Sequence, residues 1–472
     1  MPRWFADKTF ESGNISMEKY DIIVIGAGPA GYIAALKAAG FGKKTAVVEM
    51  DQLGGTCLNR GCVPTKSLLH SAEIFRQAKE GERLGVMCPD VQLDAGRMYA
   101  RRDEVVSTLR AGIARLFQSS KIALYHGRAV VGAENTVLVE QDGETTQLCA
   151  ENMILATGSS PAIPPIEGAG LPGVVTSDDL LTGEAPVYRS LVIIGGGVIG
   201  AEFAAFYTTL GCRVVIIEAL ERILPTMDRE LSQGLAMNLK KRGAEIHTGS
   251  VVKRLSRSDE GLKCTFEEKG VERSASAEAV LIATGRRANT QGLFAQGLSV
   301  EMQRGMIVTD AHFMTSVPGI YAVGDITRGA ALAHVASAQG TVAAEHIAGR
   351  GPSIDLETVP SCVYTSPEIA SVGLTADEAR AAGRAVKTGK ALMSANGKSV
   401  ISGAERGIIK LVFDAQSEEL LGAQLMCERA TDMIDVFSTA IVAKLKKEEL
   451  LRVIHPHPTY CEAVADALAA VK

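Results

Sequence analysis

Short β-branched runs that end in glycine recur along this chain, and their spacing sets its organisation. Residues 21–31 read DIIVIGAGPAG: an apolar run stops at Gly26, and small and apolar residues follow in the helix-like YIAALKAAG. The next run, TAVVE, closes on Glu49. The same order returns over 191–218, LVIIGGGVIGAEFAAFYTTLGCRVVIIE, where Gly195, Gly197 and Gly200 precede Glu218. In each copy the acid falls 23 positions after the first glycine. Both stretches predict a strand, a helix and a second strand. Two similar runs, NMILATGSSP (152–161) and AVLIATGRRAN (279–289), are predicted as strands leaving each unit, and they bracket the second unit like an insertion. A further run, TSVPGIYAVGDIT (315–327), places Asp325 after a strand and a glycine. From about residue 353 the pattern changes: VPSCVYTSPEIASVGLT, ALMSANGKSV, GIIKLVFD and ELLGAQLMC read as successive strands, with helices before and after the last histidines. That predicts a third, α+β unit of about 120 residues.

Composition narrows the class without changing this picture. The 472 residues exceed one ordinary core, and 46% hydrophobic with 22% charged residues is an ordinary globular balance. A net charge of -5, with scattered Lys and Arg, leaves no electrostatic footprint for nucleic acid. Residues 191–211 form the most apolar window, but four glycines break it before Glu202, so it reads as a buried strand entering a helix and not as a membrane span. Residues 1–16 contain no apolar core of the length a secretion signal needs, and Met17 is a possible start. A cytoplasmic protein without membrane attachment is expected. Seven of the nine cysteines lie far apart, which argues against a disulfide scaffold.

The two glycine clusters suit dinucleotides. The first glycine turns the chain, the second admits a pyrophosphate at the helix N-terminus, and the third packs helix on strand. Glu49 and Glu218 stand where a carboxylate can accept hydrogen bonds from a ribose. Glu218 would repel a 2'-phosphate, and EALERIL supplies only Arg222 afterwards, so the second site should prefer NAD to NADP. Glycine-rich turns without a ligand, a surface glutamate at a strand end, and a turn aspartate at 325 are the structural alternatives.

The stretch GGTCLNRGCVPTK (54–66) sets Cys57 and Cys62 five positions apart at the mouth of a helix. In a regular helix such positions are roughly 8 Å apart, beyond the usual disulfide limit of about 7 Å. A bond between them requires a bent turn, which Gly61 and Pro64 permit, and strain makes such a bond easier to reduce. The helix N-terminus also favours a thiolate. A zinc site would need further ligands, and only His70 is near; no metal is expected. A structural staple is the other alternative.

These residues, with YAVGDIT followed by LAHVASAQG and the terminal HPHPTYCEA, resemble the pyridine nucleotide-disulfide oxidoreductases from Glu18 to the end of the chain. Within that family Leu58-Asn59, LAH at 332–334, Glu218 and a tail without adjacent cysteines are similar to the branch that oxidises dihydrolipoamide. The resemblance implies an α/β fold of two Rossmann-like dinucleotide-binding domains, the second inserted in the first, plus a C-terminal α+β dimerisation domain. The expected boundaries are a flexible extension at 1–17, an FAD-binding domain at 18–160 and 288–352, an NAD-binding domain at 161–287, and an interface domain at 353–472. Gly26, Gly28, Gly31, Glu49, Gly55, Thr56, Thr157, Gly158, Asp325, Ala333 and His334 are expected at FAD, and Gly195, Gly197, Gly200, Glu218 and Gly285 at NAD. Cys57 would exchange with substrate and Cys62 would face the flavin. Lys66 and Glu202 resemble the ion pair beside its reactive nitrogen, and Asp325 the carboxylate on the ribityl chain.

A homodimer is implied, in which His457 of one subunit, oriented by Glu462, serves the other as acid-base catalyst. On the residues alone, prolines 456 and 458 could hold His455 and His457 extended for structural reasons. Thr459 and Glu462 also fit a helix-capping box. The family suggests a cis peptide before Pro458. The activity implied is reoxidation of protein-bound dihydrolipoamide with reduction of NAD. The partner would be a lipoyl-bearing protein of a 2-oxo acid dehydrogenase complex or of the glycine cleavage system, and a separate chain, since residues 1–17 cannot hold a lipoyl domain. Arg60 replaces a usual small apolar residue, and Cys461 directly precedes Glu462. A flavin reductase for another small disulfide, and a flavin-bearing redox sensor, are the other readings.

Overall fold

The computed structural model describes residues 18–183, 186–259, 261–404 and 406–472. The extension expected at 1–17 lies outside them. Main-chain packing divides the chain into two units, one of residues up to Gly55 with Gly112–Gly158 and Ala288–Pro352, the other of Thr56–Ala111, Ser159–Arg287 and Ser353–Lys472.

The first unit is built on the run that opens the sequence. Strand Glu18–Ile25 pairs in parallel with Thr45–Glu49 on one side and with Glu144–Leu155 on the other. Ala123–His126 extends the parallel ladder beyond Thr45–Glu49, and Ile320–Ala322 pairs in parallel with Met153–Leu155. Strands buried on both faces tolerate no alternation, which is why DIIVI and TAVVE read as unbroken apolar runs. Helix Pro29–Gly40 returns the chain and lies against Ala333–Ile347, where a Cβ on Gly340 would strike the Ala30 carbonyl. Strand order changes direction beside Glu18–Ile25, so the Gly26–Gly28 turn stands at the switch point where such sheets bind ligands.

The second unit repeats the plan. Among its described residues, five parallel strands run in the order Glu245–His247, Arg213–Ile217, Ser190–Ile194, Ala279–Ile282, Val174–Thr176. Helix Val198–Thr209 crosses between the second and third of these. A separate antiparallel sheet, Ser250–Ser258, Gly261–Glu268 and Val271–Ala277, covers one side through Leu255, Leu262, Cys264 and Phe266. The C-terminal region forms a five-stranded antiparallel sheet with helices Ala430–Val442 and Glu462–Ala469 packed on it.

Here one expected strand fails. ALMSANGKSV contributes only the end of strand Val386–Leu392, and Gly397–Ser402 is a helix. The Asn396 side chain accepts the Ser399 N–H, and Gly403 closes the helix in the left-handed region at φ 65°. A local cap at each end outweighs the β-leaning composition between them. Among the described residues no helix is long and apolar enough to cross a membrane.

Candidate active site

In the first unit the cradle is built by backbone. Gly26 sits at φ 98°, and Gly28 approaches Gly55 so closely that a Cβ on Gly55 would lie 2.6 Å from the Gly28 Cα. Above Gly28, by contrast, a Cβ would meet nothing nearer than the Gly55 Cα, at 3.8 Å. The open space over the helix N-terminus is what a pyrophosphate requires. Glu49 is buried; its Oε2 accepts the Ala27 N–H at 2.7 Å and its Oε1 the Asp51 N–H at 2.8 Å. Each oxygen keeps a lone pair for a ribose hydroxyl. Burial nevertheless pushes this carboxyl above its usual range. Thr157 and Gly158 are fixed by Asn289, whose N–H donates to the Gly158 carbonyl at 2.9 Å and whose amide donates to the Thr157 carbonyl at 3.0 Å. Asp325 lies half-buried on a turn, Gly324–Ile326, with Gly324 N–H held at 2.7 Å by Gln339. Ala333 and His334 open the following helix, and Thr56 follows Gly55 in the first turn of Gly55–Arg60. The residues fit FAD.

In the second unit Gly195 has φ 107°, and Gly197 is open to a Cβ with nothing within 4 Å. Gly200 packs the helix against the Gly195 carbonyl, and Gly285 follows strand Ala279–Ile282 with open space above it. Glu218 accepts Gly196 N–H at 2.5 Å and Leu220 N–H at 2.8 Å. Arg222 turns away, donating to the Pro225 and Met227 carbonyls at 2.9 and 3.3 Å. A buried carboxylate and a guanidinium spent on the backbone fit NAD and oppose a 2'-phosphate.

The cysteines sit at a break between helices Gly55–Arg60 and Cys62–Lys79. Gly61 makes it: its φ -144°, ψ -114° is not helical, and a Cβ would press on the Thr56 carbonyl at 2.9 Å. Cys62 becomes the first residue of the longer helix, and Thr65 closes that turn by donating its hydroxyl to the Gly61 carbonyl at 2.6 Å. Both cysteines are free thiols. A hydrogen bond from Cys57 to Cys62 divides them: it raises the Cys57 thiol, with burial adding to the shift, and lowers Cys62 to about 7. Lys66 lowers Cys62 further, against burial and the Glu202 charge. Lys66 Nζ lies 2.9 and 2.7 Å from the two oxygens of Glu202, whose side chain is 5% exposed.

His457 Nδ1 lies 2.8 Å from Glu462 Oε1 and follows the chain to a cis bond at Pro458. Glu462 Oε2 accepts the Thr459 N–H at 2.9 Å. The other half of the expected capping box is not formed: helix Glu462–Ala469 has Cys461 as its N-cap with no side-chain cap bond, and the Thr459 hydroxyl donates to the Pro456 carbonyl. Glu462 is held below the usual carboxylate range, chiefly by that N–H and then by His457.

Two family models match this architecture, one described as pyridine nucleotide-disulphide oxidoreductase over residues 20–340 and one as its dimerisation domain over 359–468. The chain belongs to the pyridine nucleotide-disulphide oxidoreductase family. Members of this family named dihydrolipoyl dehydrogenase are 40% identical in Bacillus subtilis, over 96% of this chain and 98% of that protein, and 38% identical in Chlorobaculum tepidum, over 95% and 96%. The Cu(II) complex of the HOCl-induced flavoprotein disulfide reductase RclA from Escherichia coli superposes with TM-score 0.86 at 28% identity, covering 97% of this chain and 100% of that one. LpdA from Mycobacterium tuberculosis gives 0.87 at 26%, covering 96% and 99%.

Several side chains at this family site escaped the sequence reading. Tyr364 donates its N–H to Glu202 Oε1 at 3.0 Å. Arg110 donates to the Asn59 side-chain oxygen Oδ1 at 2.8 and 3.1 Å, steadying the short helix that carries Cys57. Arg60 lies 3.7 Å from Asp178, which also faces Arg286 at 3.8 Å, so the unusual arginine is partnered by an acid 118 positions away. Tyr364 stood inside the quoted run VPSCVYTSPEIASVGLT, where its side chain carried no signal of a partner.

Proposed function

We propose that this chain is a dihydrolipoyl dehydrogenase, oxidising dihydrolipoyl groups and reducing NAD. The observation that carries the reading is the thiol pair Cys57 and Cys62 brought together across the Gly61 break, with Cys62 on the helix that also carries Lys66 paired with Glu202. In the disulfide form, a substrate thiol loses its proton to His457 and the resulting thiolate attacks Cys57. The Cys57–Cys62 bond breaks, and Cys62 leaves with the electron pair as the better leaving group. The second substrate thiolate then attacks the mixed disulfide, closing the lipoyl ring and freeing Cys57, which takes up a proton. FAD, when bound, relays the two electrons from the thiols to NAD. Glu462, by accepting from Nδ1, leaves Nε2 of His457 as the nitrogen that takes the proton.

The chain carries the dimerisation domain of its family. A homodimer in which His457 serves the other subunit is part of the proposal. It is supported by 80% exposure of the His457 side chain and 93% exposure of Ile454 in the single chain. The lipoyl group would be borne by a separate protein of a 2-oxo acid dehydrogenase complex or of the glycine cleavage system, and the location would be cytoplasmic.

NADH formation by the purified flavoprotein given dihydrolipoamide and NAD, with NADP in parallel, tests the reading. Turnover with NAD alone is expected. No turnover with either nucleotide in protein that retains FAD would overturn it and favour another small disulfide, and a Cys57→Ser protein that keeps both flavin and turnover would overturn the thiol assignment.

A further inference from the structure

The Lys66–Glu202 pair is held from a third side. Tyr364 follows strand Ser361–Val363, and its ring lies under the Lys66 ammonium with Nζ 4.5 Å from the centroid. Its N–H holds the same Glu202 carboxylate at 3.0 Å. The ammonium is thus confined between a carboxylate and an aromatic face, where a lysine on its flexible stem would otherwise sweep a wide arc. Lys66 is also the cation that acts on Cys62.

We propose that Tyr364 is a positioning residue, whose ring fixes the Lys66 ammonium so that the Cys62 thiolate keeps its counter-charge. This rests on reading Cys57 and Cys62 as redox thiols. The charged and titratable groups around Cys62 and Tyr364 are Cys57, Lys66, Glu202, Cys362 and Glu368. The ring is the working part and not the hydroxyl: burial first, then Cys362 and Glu202, push the phenol up to about 12, so it stays neutral at pH 7 and adds no charge.

The test measures the alkylation rate of Cys62 by iodoacetamide across pH in the reduced holoenzyme, resolved from Cys57 by peptide mass spectrometry. Tyr364→Phe should react like the unsubstituted protein. Tyr364→Leu should react about two- to fivefold more slowly at pH 7, the range expected for an exposed cation-π contact. Tyr364→Met carries the same expectation if the Leu protein fails to fold. In a Lys66→Met background, ring loss should change nothing further. The proposal is overturned if the Leu and Met proteins react like the parent, if Phe falls as far as Leu, or if ring loss slows alkylation equally without Lys66. Alkylation needs neither a lipoyl substrate nor NAD, so a failed dihydrolipoamide assay leaves this result readable.

Discussion

Lys66→Met and Glu202→Gln cut the same ion pair, yet they should move Cys62 in opposite directions. Lys66 holds the Cys62 thiolate down and Glu202 pushes it up, so loss of the cation raises the thiol and loss of the anion lowers it. Cys62 now titrates at about 7, below its ordinary 9.0. The Cys57 hydrogen bond is the largest cause, and Lys66 is the cation that lowers the thiol further. At pH 7 the thiolate fraction, about one half in the parent, would then fall in Lys66→Met. In Glu202→Gln it would rise above one half. Lys66→Met also strands a carboxylate that is 5% exposed, with the Tyr364 N–H as a remaining donor. Stranding a fully buried charge costs about 3–5 kcal/mol, and the 31% exposure of the Lys66 side chain places this loss at or below the lower end. Flavin content and circular dichroism must therefore accompany the pH-dependent alkylation of Cys62. Equal shifts of one sign in both proteins, or none in either, would refute the electrostatic account of this thiol.

Three further outcomes follow from the same geometry. Glu462→Gln should lower kcat/KM for dihydrolipoamide about 10²-fold while leaving FAD and NAD binding intact, because it weakens the hold on His457 Nδ1. The Glu462 carboxyl is depressed, so its contribution is present throughout and above the ordinary carboxylate range and lost only as pH falls below that range; a pH–rate limb between 6 and 9 that disappears in Glu462→Gln would contradict this. Glu218→Gln should raise KM for NAD about tenfold and narrow the preference over NADP, read from initial rates with each nucleotide. Gly28→Ala should fold, since its new methyl meets only the Gly55 Cα at 3.8 Å, but should purify without the yellow absorbance, because that methyl fills the pyrophosphate space.

What the sequence disclosed was local, and what it concealed was long-range. Gly26, Gly28 and Glu49 lie within two dozen positions, and backbone sterics force their types, so one chain segment displays the whole cradle. Gly61 likewise announced the break that separates Cys57 from Cys62. Tyr364 stands 162 positions from Glu202, on an irregular segment after a three-residue strand, and no periodicity encodes that meeting. At 391–400 the error was of another kind: apolar residues suggested a strand while Asn396 and Gly403 supplied both caps of a short helix. The capping box at Thr459 offered helix closure as a role for Glu462 beside catalysis. A carboxylate has two oxygens, and here Oε2 takes the Thr459 N–H while Oε1 takes the histidine. The backbone contact fixes the carboxylate, and a fixed carboxylate is what orients an exposed imidazole. In the proposed mechanism the backbone contact serves the chemical role, because the carboxylate that holds His457 is itself held.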